Sequence, residues 1–163
     1  MKKYNIDEDQ DLSITYDKKD IEINIKDNVS LNLFELVNID NNNKTIINLG
    51  KDSRLILNRF CNKNIINSKI EVNLNGERSH AEVVISTISN ENQIIKININ
   101  HNNKHTYSNV INSGITIKNG KLEFDIETKI EKGNINSNAN QDSKIITMDN
   151  VSSGIINPKL IIN

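Results

Sequence analysis

The sequence predicts an all-β chain wound as a parallel β-solenoid with coils of about 25 residues, and three observations predict it. First, Ile occurs 30 times and Ala only twice, at Ala81 and Ala139. That balance favours strands and removes the best helix former. Second, an apolar–Asn–apolar triplet recurs in register. Third, short turn segments fall between the repeats, so no triplet extends into a long element.

Residues 1–20 come first and are the least patterned. They carry the acidic run Asp7-Glu8-Asp9 with Asp11. The spacing is not that of a calcium loop, so a solvated lead-in is expected. The triplets follow: Ile23-Asn24-Ile25, Ile47-Asn48-Leu49, Val72-Asn73-Leu74 and Ile97-Asn98-Ile99, their Asn residues 24, 25 and 25 apart. A fifth copy, Leu122-Glu123-Phe124, keeps the spacing with a changed centre. Alternation inside a triplet is the strand period of two. Isolated strands of this size bury no face alone, but stacking one above another builds a continuous core. Asn24, Asn48, Asn73 and Asn98 are therefore expected to form an outward ladder. Ile25, Leu49, Leu74, Ile99 and Phe124 are expected to stack inward.

Six residues beyond each triplet come Leu31, Leu55, His80, His105 and Ile130. The segments Asp27-Asn28, Gly50-Lys51-Asp52, Asn75-Gly76, Asn102-Asn103 and Asn119-Gly120 read as corners. Asn tolerates the left-handed backbone that corners need, which suits a chain with only six Gly. Loops are expected at 38–43 and 62–64. Asn75-Gly76 and Asn119-Gly120 also fit hairpin turns, so an antiparallel sandwich is the rival fold.

Charge and cysteine count exclude several functions. Twenty Lys and Arg against 21 Asp and Glu leave a net charge of -1, without the basic excess of a nucleic-acid or anionic-membrane binder. No apolar run is long enough to span a bilayer, and no h-region follows the basic start, so a cytoplasmic chain is expected. Cys61 is the single cysteine, which removes internal disulfides and thiolate clusters within one chain.

Candidate metal ligands are few. If the repeat register holds, His80 and His105 sit on adjacent coils about 4.8 Å apart, with His101 from the preceding turn. Such a trio suits iron, zinc or copper. The competing account is a solenoid corner of stacked polar residues with no ligand. Asp125, Glu127 and Glu131 share a strand face, as in β-helical polysaccharide enzymes, but Lys129 interrupts them and makes an ion-paired face the better account. No nucleophile elbow, P-loop or dinucleotide fingerprint occurs. The chain is expected not to be an enzyme.

From His101 onward the chain resembles the SufB/SufD family, the scaffold subunits of the SUF iron–sulfur cluster assembly system. The segments that carry the resemblance are His101-x3-His105-Thr106-x-Ser108, Gly114-Ile-Thr-Ile, Asn119-Gly120 and Leu122-Glu-Phe124. Then come Ile130-Glu-Lys-Gly133, Ser137-Asn-Ala139-Asn-Gln141, Ile145-Ile-Thr-Met148 and Asn157-Pro158-Lys-Leu160-Ile-Ile162. Residues 21–96 match in style only. Two positions depart from the family pattern: Ile126 replaces a Gly, and Asp142 follows Gln141 where the SufB branch has a cysteine. The resemblance implies one SufBD-like core domain over 1–163, folded as a right-handed parallel β-helix. It implies a scaffold role beside a SufC-like ABC-type ATPase and a SufB/SufD-like subunit, paired through the C-terminal coils around 141–162. It implies no resident cofactor, only a transient iron–sulfur cluster or iron held through a complex. The reading outside this family is a non-catalytic solenoid or sandwich module binding carbohydrate or a structural partner. Three Phe, three Tyr and no Trp give such a module little aromatic surface.

Overall fold

A computed structural model describes residues 1–16, 20–38, 42–62 and 67–163. The first coil is β1 (Lys2–Ile6) and β2 (Gln10–Thr15), and the second β3 (Ile21–Ile25) and β4 (Ser30–Val37). Next come β5 (Asn43–Leu49) with β6 (Arg54–Cys61), and β7 (Ser68–Leu74) with β8 (His80–Ser89). The widest coils are β9 (Asn92–His101) with β10 (Tyr107–Thr116), and β11 (Lys121–Ile130) with β12 (Asn138–Thr147). Strand β13 (Ser153–Ile162) follows. Odd strands form one sheet in the order β1-β3-β5-β7-β9-β11-β13, and even strands form the other, β2 to β12. Every pairing is parallel. The fold is a β-solenoid, and the sandwich alternative is excluded: Asn75-Gly76 and Asn119-Gly120 turn the chain between sheets, not between antiparallel neighbours.

Alternation decides what faces the lumen. Ile23, Ile47, Ile70, Val72, Ile97 and Ile99 of the odd sheet are fully buried, as are Leu55, Leu57, Val83 and Val110 of the even sheet. Each such side chain contributes about 1.5–3 kcal/mol relative to exposure. Outside runs a ladder of amides: Asn24 donates to Asn5 (3.2 Å), Asn48 to Asn24 (2.9 Å), Asn73 to Asn48 (2.9 Å) and Asn100 to Asn73 (2.8 Å). A part-exposed hydrogen bond is worth about 1 kcal/mol or less, so the apolar interior sets stability and the ladder sharpens register.

Two expectations need correction. The coil is not constant: Asn5, Asn24, Asn48, Asn73, Asn100, Lys129 and Ile161 share one register row at successive steps of 19, 24, 25, 27, 29 and 32 residues. The tube widens toward its C-terminal end. Asn98 accordingly pairs with Glu71, and Asn100 takes the rung expected for Asn98. Ile99 and Phe124 stay buried but do not continue the Ile25–Leu49–Leu74 column, where His101 sits instead. The slip is an even number of residues, so inside and outside are preserved. Residues 1–16 and 20 are also no lead-in. Strands β1 and β2 form the first coil, with Ile6 and Ile14 in the core.

Corners are made by stacked left-handed residues: Asn28 (φ 62°), Asp52 (54°), Arg78 (59°), His105 (58°) and Asn136 (57°). The amides of Asn28, Asp52, Arg78 and His105 donate to the carbonyls of Lys51, Glu77, Lys104 and Ile135 on the next coil. At Gly76 any side chain would collide with the backbone of Gly50 and Lys51, 2.0–2.4 Å from an added Cβ. The expected loops at 38–43 and 62–64 lie partly outside the described residues; Asn43 opens β5.

Candidate functional site

Several polar groups interrupt the apolar lumen, Thr87 donating to Gln93 Oε1 at 2.7 Å among them, and two clusters among the described residues are built on a titratable side chain. The first is charged. Inward positions of β4 run Leu31, Leu33, Glu35, Val37, and those of β6 run Leu55, Leu57, Arg59, Cys61. Parallel register sets Glu35 against Arg59. Both side chains are fully buried, and Arg59 donates from Nε (2.7 Å) and Nη2 (2.6 Å) to Glu35 Oε2. Its remaining donors reach Ser68 Oγ (2.9 Å), Thr45 Oγ1 (2.5 Å), Tyr16 Oη (3.3 Å) and, at 3.5 Å, Asn43 Oδ1. Tyr16 and Thr45 hydroxyls donate to Glu35 Oε1. Burial works against the guanidinium charge, but the Glu35 carboxylate outweighs it and holds Arg59 protonated. Burial likewise pushes the Cys61 thiol up to about 11, so it stays a thiol inside the tube.

The second cluster is neutral and centres on His101, the last inward residue of β9. Its Nδ1 lies 2.7 Å from Thr106 Oγ1 and its Nε2 2.9 Å from Ser108 Oγ. Thr106 in turn donates to the Asn103 carbonyl (3.0 Å) and meets Ser137 Oγ (2.9 Å). A neutral ring protonated on Nδ1 satisfies this chain: it donates to Thr106 and accepts from Ser108. Burial lowers its pKa to about 4. Six residues beyond Ser108 along β10, away from His101, Gly114 lies close against β11, where an added Cβ would fall 2.2 Å from Leu122 and 3.3 Å from Phe124.

The three sequence-derived ligand candidates do not converge. His80 lies on the outer face, where its register neighbour is Tyr107 and not His105. Their rings stack with centroids 4.4 Å apart. His80 Nε2 sits 3.1 Å from Glu82 Oε1, which also accepts from Arg54 at 2.8 Å. His105 occupies the corner beside Arg78, because the coil step here is 27 residues and not 25. His101 faces inward and is spoken for on both nitrogens. Among the described residues no three His, Cys, Asp or Glu side chains stand close enough to hold a metal. The acidic face of β11 is ion-paired: Lys129 with Glu131, and Glu127 with Lys159 (2.9 Å).

Repeat periodicity did not expose the two clusters. The signals were present: opposite charges in equivalent inward slots of β4 and β6, and a His followed by Thr at five and Ser at seven across a corner.

The C-terminal coil differs from the rest. Inward residues of β12 are only half-buried; Gln141 is held by its amide donating to Thr128 Oγ1 (2.9 Å). Strand β13 bonds to β11 on one side, and Ile155, Ile156, Leu160 and Ile162 are exposed.

These features define a class: a parallel β-solenoid core with a polar-plugged lumen and an apolar last coil. The family model for the SUF system FeS cluster assembly SufBD core domain matches residues 6–163. The chain belongs to that family, and with it to the SUF iron–sulfur cluster assembly system. Comparison with curated proteins finds no match. No helix among the described residues is long and apolar enough to cross a membrane.

Proposed function

We propose that the chain is a non-catalytic scaffold subunit of cytoplasmic iron–sulfur cluster assembly, pairing with a SufB/SufD-like subunit and acting beside a SufC-type ATPase. One observation carries this reading: apolar residues of both parities are exposed along β13, the last strand of its sheet, whose outer edge pairs with no other strand among the described residues. A strand that is apolar on both faces and open at its edge is a template for another chain. The cluster is cargo in this reading. The chain offers one buried thiol and one buried imidazole, so ligands for a nascent cluster come in part from the partner. His101 contacts hydroxyls rather than a carboxylate and is closed to solvent, which favours a structural over a catalytic imidazole.

Anaerobic co-purification with the cognate ATPase and SufB-like subunit is expected to yield a stoichiometric complex that takes up iron and sulfide. Leu160→Asp with Ile162→Asp is expected to release the partner while the far-ultraviolet spectrum stays β-rich. A lone monomer with no iron or sulfide uptake would remove the proposal.

A further inference from the structure

The outer face of the even-numbered sheet is built as a trough. Outward positions of β8 run Val84, Ser86, Ile88, and those of β10 run Ile111, Ser113, Ile115. Parallel register aligns them in three rows across the sheet. Ile88 and Ile115 continue to Ile146 on β12, and the two serines lie between Phe60 on β6 and Lys144 on β12. Val84 and Ile111 form the opposite ridge, so the serines are a low floor between aliphatic sides. A space of about 370 Å³ opens over that floor and the Ile88 ridge.

Phe34, Ile88, Ile111, Ile115 and Ile146 are each 37–48% exposed. Scattered apolar residues are ordinary on a folded surface, but a contiguous patch marks a contact surface. The outer face of the odd-numbered sheet is charged instead, with Lys69, Lys96 and Asp125 in one row.

Dimensions decide the occupant. Four strand steps separate Phe34 on β4 from Ile146 on β12, about 19 Å along the tube. The two ridges stand four residues apart on each strand, about 13 Å. An α-helix is about 10–12 Å across and covers that length in about 13 residues. It fits between the ridges and reaches the serines. An acyl chain is too thin to touch both ridges, and the sheet of a second copy would rest on them and leave the floor empty. Lys144 closes the β12 end. It is the one charged residue lining the space and has no ion pair or hydrogen bond among the described residues. Asp142 lies outside the floor, in the row of Ile111.

We propose that this trough docks an amphipathic α-helix of a partner protein, with aliphatic side chains against both ridges and a carboxylate side chain on Lys144. The surface is separate from the β13 edge, so either can fail without the other.

The test titrates the ¹⁵N-labelled chain with a lactam-stapled helical peptide of about 13 residues, carrying Leu along one stripe and Glu in its last turn. Saturable shifts are expected at the Ser86, Ile88, Ser113 and Ile115 amides. Ser113→Arg fills the floor without touching the core and is expected to weaken binding about tenfold or more. Lys144→Glu is expected to weaken it about tenfold, and exchanging the peptide's Glu for Lys to restore it. Lys129→Gln, on the opposite sheet, is expected to leave it unchanged. Equal binding of a scrambled peptide, no saturable shift with the stapled helix, or wild-type affinity in a folded Ser113→Arg chain would overturn the site. Decanoate producing these shifts where the helix produces none would assign the trough to an acyl chain. Self-association in sedimentation that Ser113→Arg abolishes would assign it to a second copy, and either result overturns the helix.

Discussion

The Arg59–Glu35 cluster and the His101 cluster of the lumen solve one problem in opposite ways. Around Arg59 and Glu35 the tube buries full charges and balances them across adjacent coils, with hydroxyls of Tyr16, Thr45 and Ser68 completing the shell. Around His101 it buries a titratable group and keeps it uncharged between two hydroxyls. A charged cluster holds at any pH that keeps both partners ionised but is intolerant of losing one of them. A neutral cluster tolerates trimming but is exposed to acid. Position in the fold matches: the charged plug sits in the narrower coils, where four strands and a preceding turn converge, and the neutral one where the coils widen.

The largest effect expected from breaking this contrast is at Glu35. Glu35→Ala leaves the guanidinium of Arg59 buried and unpaired and should cost about 3–5 kcal/mol. Urea unfolding measures it through the midpoint at unchanged slope. Replacing both partners, Glu35→Leu with Arg59→Met, should recover part of that loss, because no charge then remains buried. If the double variant is as unstable as the single one, the cost lies in the surrounding hydroxyls and not in the ion pair.

Acid should distinguish the second cluster. His101 binds its proton near pH 6.5 when unfolded and only near pH 4 when folded. Its contribution is complete above about pH 6.5 and falls as the pH drops toward 4, where the unfolded chain holds more protons. The accumulated loss is about 3 kcal/mol. Stability measured from pH 7 to 4 should therefore decline more steeply in the wild-type chain than in His101→Gln. Equal slopes would assign the decline to carboxylates alone.

Trimming Ser108 sharpens the comparison. Ser108→Ala removes the donor to His101 Nε2 and leaves a buried acceptor, at a cost of about 1–3 kcal/mol. The smallest effect belongs outside the tube. Asn73→Ala deletes the middle rung of the amide ladder and should cost about 1 kcal/mol or less, lowering the melting temperature by roughly 2–4 °C for a domain of this size.

Much of the architecture was legible in the chain itself. Strand identity came from Ile-rich alternation, and parallel stacking came from in-register triplets such as those of Asn24, Asn48 and Asn73. What failed was the assumption of a fixed period. Corners absorb extra residues without changing strand parity, so the triplet Ile97-Asn98-Ile99 matches the pattern while the rung falls to Asn100, between Ile99 and His101, and only the backbone register shows it. The same two-residue slip put His105 on a corner and removed the proposed histidine pair. First-coil strands were missed because β2, with Asp11, Ser13 and Thr15, presents polar residues outward and has few apolar ones inward. The charged plug was overlooked for a different reason: a Glu and an Arg at inward positions look like surface residues until their register is known.

The steady lengthening of the coils, from 19 to 32 residues along the odd-numbered sheet, has a consequence for evolution and engineering. Turns of a uniform spiral can be duplicated, deleted or swapped like beads on a string. Here each loop of chain has its own circumference, fitted to one neighbour slightly smaller and one slightly larger. Removing a single turn from the middle would bring together two rims that do not match, so this molecule cannot be resized in modular steps.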